Sequence, residues 1–249
     1  MAKIIQPLIF ALQFLTRMPV GKTLQPDACL ARKALMTFPL VGWLIGGVLY
    51  AAWRLTGFAP GINALSVAVI IVAVETALTG AFHLDGLADS FDAFFSSGKT
   101  REEKLAIMKD SRIGVMGSVV VTLALLLKTT LLAGLFEHHA AGALLAYPVA
   151  GRWSQVAGYV FSPYVREGGI GSLFSQSADK KSLAAATLFS APCFFVSGFF
   201  LSLPLLVLSL FLYRGYVHRQ IGGITGDVLG SMTVLAELVV LAAITLWPH

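Results

Sequence analysis

The stretch INALSVAVIIVAVETALTGAFHLDGLADSFD, residues 62–92, holds both a scaffold signal and a chemical one. Residues 62–82 are apolar but for small polar side chains and Glu75, and match the ~20 residues that cross a hydrocarbon core. Residues 83–92, HLDGLADSFD, then bring Asp85, Asp89 and Asp92, three of only thirteen acidic residues in the chain. Carboxylates in or beside a bilayer are costly without a compensating partner. The stretch therefore predicts a membrane span that delivers an acidic cluster to one membrane face. A divalent cation that handles phosphate is the expected partner.

The same reading extends outward. Of the 249 residues, 57% are hydrophobic and 12% charged, where a soluble domain has about 25% charged. The excess falls in blocks at roughly 34–53, 62–82, 115–136, 141–161, 183–199, 202–217 and 228–246, separated by short basic loops. The expectation is an all-α polytopic integral membrane protein with about seven transmembrane helices, or six to eight given the ambiguity at 183–213. The first block, Ile4 to Val20, carries Gln6, Pro7, Gln13 and Arg17 and lacks a cleavage pattern, so it reads as an interfacial amphipathic helix. Cys29 and Cys193 support neither a disulfide framework nor a metal knuckle. The net charge of +5 sits in loops of a membrane protein and does not imply nucleic acid.

Basic residues set the expected topology. If 183–213 crosses twice, with Pro204 and the Gly198/Ser202 region as the break, fifteen of the eighteen Lys and Arg lie on one side. Arg54, Lys128 and Arg152 are the exceptions. By the positive-inside rule that side is cytoplasmic. The chain then forms a single membrane-embedded domain, 1–249, whose active face is built from the cytoplasmic loops 83–114, 162–182 and 218–227.

On a helix, Asp85, Asp89 and Asp92 fall within about 60° of one another. Mg²⁺, held by carboxylates and substrate phosphates, would relieve their repulsion. Glu75 projects about 80° away on the same helix, beside the cluster or toward another helix. His83 points nearly opposite Asp85 and joins the cluster only if the helix breaks at Gly86. Downstream, TREEKLAIMKD at 100–110 reads as an amphipathic helix, and Lys109, Asp110, Ser111 and Arg112 precede a span that opens with Gly114 and Gly117. Lys and Arg there suit phosphate oxygens or act as a positive-inside anchor. Arg152 lies mid-span and is expected to face a cavity or an acidic partner, whereas Lys128 could snorkel. In IGGITGDVLG, 221–230, Gly222, Gly223, Thr225 and Asp227 form a backbone nest for phosphate, or Asp227 caps the final helix. Glu237 is a second buried acid without an evident partner.

HLDGLAD at 83–89, EKLAIMKDSRIG at 103–114 and GGITGD at 222–227 resemble cobalamin synthase, the adenosylcobinamide-GDP ribazoletransferase family. TRMPV at 16–20 and FPLVG at 38–42 fit the same pattern, so the resemblance covers nearly the whole chain. It implies a multi-pass enzyme of the bacterial inner membrane, facing the cytoplasm, in late vitamin B12 assembly. Such an enzyme joins adenosylcobinamide-GDP to α-ribazole or its 5′-phosphate, releases GMP and requires Mg²⁺. On that reading Glu75, Asp85, Asp89 and Asp92 surround metal, and His83, Asp85 or Asp89 serves catalysis. Lys109, Asp110, Ser111, Arg112, Arg152 and the 222–227 loop contact substrate. A homo-oligomer, or association with other enzymes of B12 assembly, stays open. Two other readings compete. CDP-alcohol phosphotransferases also place D-G before further aspartates, but Asp89 stands where their A-R pair has Arg. A cation-coupled transporter would use the acids as an ion site, but they cluster at one face and no repeat is visible.

Overall fold

The computed structural model of the protein describes residues 2–58 and 61–246. Its α-helices are α1 (Ala2–Leu15), α2 (Ala28–Thr56), α3 (Ala64–Thr79), α4 (Phe82–Phe94), α5 (Arg101–Ile107), α6 (Val115–Glu137), α7 (Ala143–Phe161), α8 (Gly169–Ser177), α9 (Lys180–Ser190), α10 (Phe199–Ile221) and α11 (Gly226–Thr245). A 3-10 turn, Ala191–Phe195, follows α9. Four helices, α2, α6, α10 and α11, are long and apolar enough to cross a membrane, and α3 with α4 makes a fifth candidate if the bent pair is one span. The protein is an all-helical, multi-pass membrane protein. These candidates are set by length and hydropathy; α7, 19 residues long, lies centrally, with 15 of them buried.

The 183–213 region departs from two equal spans. At about 1.5 Å per residue, the 11 residues of α9 cover roughly half of a ~30 Å core. The chain breaks near Gly198, which sits at φ 76°, and then runs as one helix through Pro204 to Ile221. Proline is tolerated there because neighbouring groups absorb the lost backbone bond.

Glycines set the closest packing. A Cβ on Gly42 would lie 2.6 Å from the Val149 Cα, and one on Gly46 would lie 2.7 Å from the Leu144 carbonyl oxygen. This small-xxx-small pair lets α2 and α7 meet backbone to backbone. α1 forms as expected and buries Phe10, Ala11, Leu12 and Leu15. Phe10 and Phe14 pack against Phe174, with ring centroids 5.5 and 5.0 Å apart, so α1 is fastened to α8 as well as to α2.

Four charged side chains close the centre of the bundle. The Lys128 Nζ donates to both Glu75 carboxylate oxygens at 3.0 Å and to Glu237 Oε2 at 2.6 Å. Arg152 donates to the other Glu237 oxygen, and the Tyr147 hydroxyl donates to Glu75 at 2.9 Å. Lys128 therefore does not snorkel; it is 7% exposed and bonded inward. The set carries two positive and two negative groups, from α3, α6, α7 and α11, and is neutral as a unit. Removing one member strands a buried charge, which costs about 3–5 kcal/mol. Lys128→Met should lower the thermal unfolding temperature in detergent sharply, and adding Glu75→Gln should recover part of the loss. A double variant no more stable than Lys128→Met alone would refute the pairing.

Candidate active site

The acidic helix α4 is aimed by a bend. Gly80 at φ 63° and Ala81 at φ 59° are both left-handed, and α4 leaves α3 at 88°. The left-handed C-cap at Gly80 is what a glycine favours. Arg17 covers this corner: its backbone N–H donates to the Leu78 carbonyl at 2.7 Å and its side chain fills the space a Gly80 side chain would need. With 13 residues, about 20 Å, α4 is too short to cross alone.

α4 does not break at Gly86. It runs unbroken through that position, and the glycine serves close approach instead. A Cβ on Gly86 would lie 2.7 Å from the Asp227 carbonyl oxygen, and one on Gly230 would lie 3.3 Å from the His83 Cα. The two glycines let α4 and α11 cross with backbones touching, which brings Asp227 to the acidic face of α4. Asp85 is exposed, Asp89 half-buried. Burial, then the neighbouring Asp227 and Asp85 carboxylates, push the Asp89 carboxyl up to about 7. Arg166 opposes them: it donates to Asp227 Oδ2 at 2.7 Å and to the Met108 carbonyl at 3.1 Å. One guanidinium thus joins the loop after α7, the loop after α5 and the start of α11.

The third aspartate has a different task. Asp92 accepts from the Gly114 N–H at 2.6 Å and the Gly117 N–H at 2.8 Å, capping α6 from across the interface. A carboxylate there satisfies orphan donors and complements the positive helix end. Glu75, committed to Lys128 and Tyr147, also lies apart from the acidic face. Among the described residues no group of three or more His, Cys, Asp or Glu converges tightly enough to form a ready-made metal cage. Mg²⁺ commonly binds through one or two carboxylates plus substrate phosphates, and Asp85, Asp89 and Asp227 are the carboxylates here that could contribute.

His83 is buried, and a directional chain fixes its ring. The Thr233 hydroxyl donates to the Leu229 carbonyl at 2.9 Å, so its oxygen must accept from Gln155 Nε2 at 2.7 Å. That assigns the amide orientation. The same Nε2, 2.9 Å from His83 Nε2, then donates to it as well. His83 Nε2 is an acceptor, the proton rests on Nδ1, and the ring is turned inward rather than toward the acids.

Other expected substrate residues fall into two groups. Lys109, Ser111 and Arg112 are exposed in the turn before α6, with the Arg112 side chain 86% exposed. Asp110 accepts from the Arg112 side chain and backbone N–H, which hold its carboxyl down to about 2, so it shapes the turn. Arg152, wholly buried on Glu237, is removed from the acidic face. The 222–227 loop is not an open nest. The Arg101 guanidinium occupies the space beside Gly222, the Pro163 carbonyl crowds Gly223, and Ile224 donates to Pro163 and accepts from Val165. Thr225, not Asp227, is the cap of α11, accepting from the Val228 N–H at 3.2 Å. The reading of the sequence missed Arg166, Arg17, Arg101 and Gln155. None of them has a spacing that marks it: Arg101 opens the charged run of α5, Arg166 lies in a polar loop, and Arg17 and Gln155 sit among apolar and small polar residues.

The model of the family described as cobalamin-5-phosphate synthase matches residues 7–245. This chain belongs to that family. Adenosylcobinamide-GDP ribazoletransferase from Pseudomonas aeruginosa (strain UCBPP-PA14) is 39% identical over 99% of this chain and 100% of its own length. The enzyme of that name from Roseiflexus sp. (strain RS-1) is 38% identical over 96% of this chain and 89% of its own. No solved structure matches. As a member of the cobalamin-5-phosphate synthase family, the chain is a transferase of cobalamin biosynthesis, and the acidic face of α4 is its candidate centre.

The division of labour among the aspartates is testable. Asp92→Ala should lower stability by about 1–2 kcal/mol, as lost caps do, yet retain turnover at reduced temperature. A variant that unfolds like the unmodified protein but has no turnover would contradict the capping role.

Proposed function

We propose that the chain joins adenosylcobinamide-GDP to α-ribazole or its 5′-phosphate at the α4–α11 crossing, at the cytoplasmic face of the inner membrane, with Mg²⁺. The observation that carries this is the meeting of Asp85, Asp89 and Asp227 under one cation, Arg166, on an otherwise apolar scaffold. Asp85, Asp89 and Asp227 are the residues that would hold the ion. When bound, the ion would neutralise charge on the pyrophosphate and the departing GMP.

A ribose hydroxyl that is free in both α-ribazole and its 5′-phosphate, hence not the 5′ one, forms a bond through its oxygen to the pyrophosphate phosphorus on the cobinamide side, and the bond from that phosphorus to the bridging oxygen breaks, with GMP leaving. The proton from the attacking ribose hydroxyl passes to a carboxylate of the acidic face, a contribution of about 10²–10⁴-fold in rate. His83, its Nε2 already accepting from Gln155, instead orients α4. Arg166 is the clamp for phosphate oxygens, a role its fork of donors suits. Arg152 does not share it. Lys109 and Arg112, exposed on the neighbouring turn, meet the phosphates from the solvent side. Most of the catalysis is positioning and electrostatics, as phosphoryl transfer requires.

Purified protein in detergent, given Mg²⁺, adenosylcobinamide-GDP and α-ribazole, should release GMP, and chelation with EDTA should stop it. Asp85→Asn and Asp89→Asn should each lower kcat by at least about 10²-fold with the helical circular dichroism intact. Near-normal turnover in both would overturn the assignment, and EDTA-resistant turnover would remove the metal. Arg166→Gln should raise KM for the GDP-bearing substrate, with partial recovery in Arg166→Lys. An unchanged KM in Arg166→Gln would take the clamp away from that residue.

A further inference from the structure

An apolar groove runs along the outside of the bundle between α7, α9 and α10, away from the acidic face. It has two parts, of about 330 and 220 Å³, that share Trp153 and Val207 and so continue into one another. One end is marked by Phe161 and Arg214, the other by Phe194 and Phe199. From Phe199 to Arg214, α10 advances about 22 Å at ~1.5 Å per residue. That exceeds the ~15 Å half-thickness of a hydrocarbon core.

The walls are fixed before anything binds. The Trp153 indole N–H donates to the Thr187 hydroxyl at 2.9 Å, tying α7 to α9. At the mouth, the Arg214 Nε donates to the Phe161 carbonyl at 3.0 Å and to the Ser162 hydroxyl at 3.1 Å, the C-terminal end of α7. This pins one edge of the guanidinium. Among the described residues no carboxylate pairs with it, and its terminal N–H groups remain as donors. One turn along the same helix, the His218 Nε2 also has no hydrogen-bond partner.

We propose that this groove holds one acyl chain of an anionic phospholipid, with the headgroup phosphate on Arg214. A guanidinium held by one edge presents its other N–H groups as a fork that matches phosphate oxygens. Its place, about two turns before the end of α10 that leads to the active side, lets its long side chain reach the level of a headgroup. Val207 and Phe211 beside the groove are 58% and 67% exposed, so the surface meets lipid chains in a bilayer. A second apolar groove, of about 260 Å³ between α4, α6, α10 and α11, lacks this feature. Its polar groups, Tyr213 and Ser231, bond to each other, and no charged side chain lines it. Any chain there is held without regard to its headgroup.

The test is native mass spectrometry of the delipidated full-length protein in detergent. Phosphatidylglycerol and phosphatidylcholine with the same acyl chains are offered together. The unmodified protein should retain one phosphatidylglycerol in preference. Arg214→Gln should reduce that preference about tenfold, the cost of a charge-assisted hydrogen bond, while still binding either lipid weakly. Val207→Trp, which fills the junction of the two parts from an exposed position, should lose the bound lipid of either kind with Arg214 in place. Equal retention of the two lipids by the unmodified protein would overturn the proposal. So would a preference that survives Arg214→Gln, or retention untouched by Val207→Trp. Excess inorganic phosphate that displaces neither lipid is expected; displacement of the lipid by phosphate alone would mean that Arg214 is an ion site without the chain.

Discussion

Four charged side chains inside an apolar bundle must neutralise one another, and the rest of the molecule is arranged around that requirement. Lys128 bridges Glu75 and Glu237, and Arg152 completes the set. Because the members come from α3, α6, α7 and α11, their geometry fixes four helices relative to one another at a single level. A purely apolar interface between these helices would tolerate sliding, since lipid and leucine are alike to it. Buried ions do not tolerate it. The desolvation they have undergone is offset only while the partners stay in place. A cavity of about 20 Å³ lies beside them, lined by Glu75, Lys128, Glu237 and His83. It is of the size that holds one water. The charged layer is thus the floor under the start of α4.

From that floor two backbone features carry the acids to their place. The left-handed pair at Gly80 and Ala81 turns the chain, and Gly86 against Asp227 holds α4 on α11. The bend alone would leave the acids on a free helix end, where three like charges on one face are unfavourable. The crossing alone would lack the direction. Together they separate the three aspartates by environment: Asp92 is neutralised by the amide groups of α6, Asp89 is half-buried beside Asp85 and Asp227, and Asp85 is open. A periodic row of identical residues becomes one cap and an acidic face.

Much of this was legible in the sequence because apolar blocks of span length and an i, i+4, i+7 set of acids are one-dimensional patterns. The helical character and the shared face of the aspartates follow from them, while the family resemblance is carried by the motifs at 83–89, 103–114 and 222–227. What did not follow is pairing across space. Glu75, Lys128, Arg152 and Glu237 each announce that a charge in an apolar run has a partner, but nothing in their spacing says which. Glycine is ambiguous in the same way. At Gly80 it serves a left-handed turn, at Gly86 and Gly230 a close crossing, and at Gly222 room for Arg101. A sequence gives all four the same letter, which is why a break at Gly86 and an open nest at Gly222–Gly223 stand there as alternatives that only the structure decides. At 183–213 the Gly198/Ser202 region is legible as the break; what composition does not reveal is that the helix before it, α9, has only 11 residues and ends in a 3-10 turn.

The hydrogen-bond chain from α11 to His83 restricts the chemistry of the acidic face more than any distance there. Each link has one direction. The Leu229 carbonyl can only accept, so Thr233 donates to it; Thr233 then accepts from Gln155, and Gln155 spends its remaining amide hydrogen on His83. A histidine whose Nε2 is consumed in this way cannot take a proton from a substrate hydroxyl through that atom without breaking a buried bond, and a buried unpaired donor costs about 1–3 kcal/mol. The carboxylates of α4 and α11 carry no such burden. Burial and repulsion raise the proton affinity of Asp89, the property that a proton acceptor needs near neutral pH. The same repulsion favours an incoming cation. The proposed metal binding and the proposed proton transfer therefore rest on one physical feature, like charges held together by the Gly86 crossing. The neighbouring histidine holds the helix that presents them.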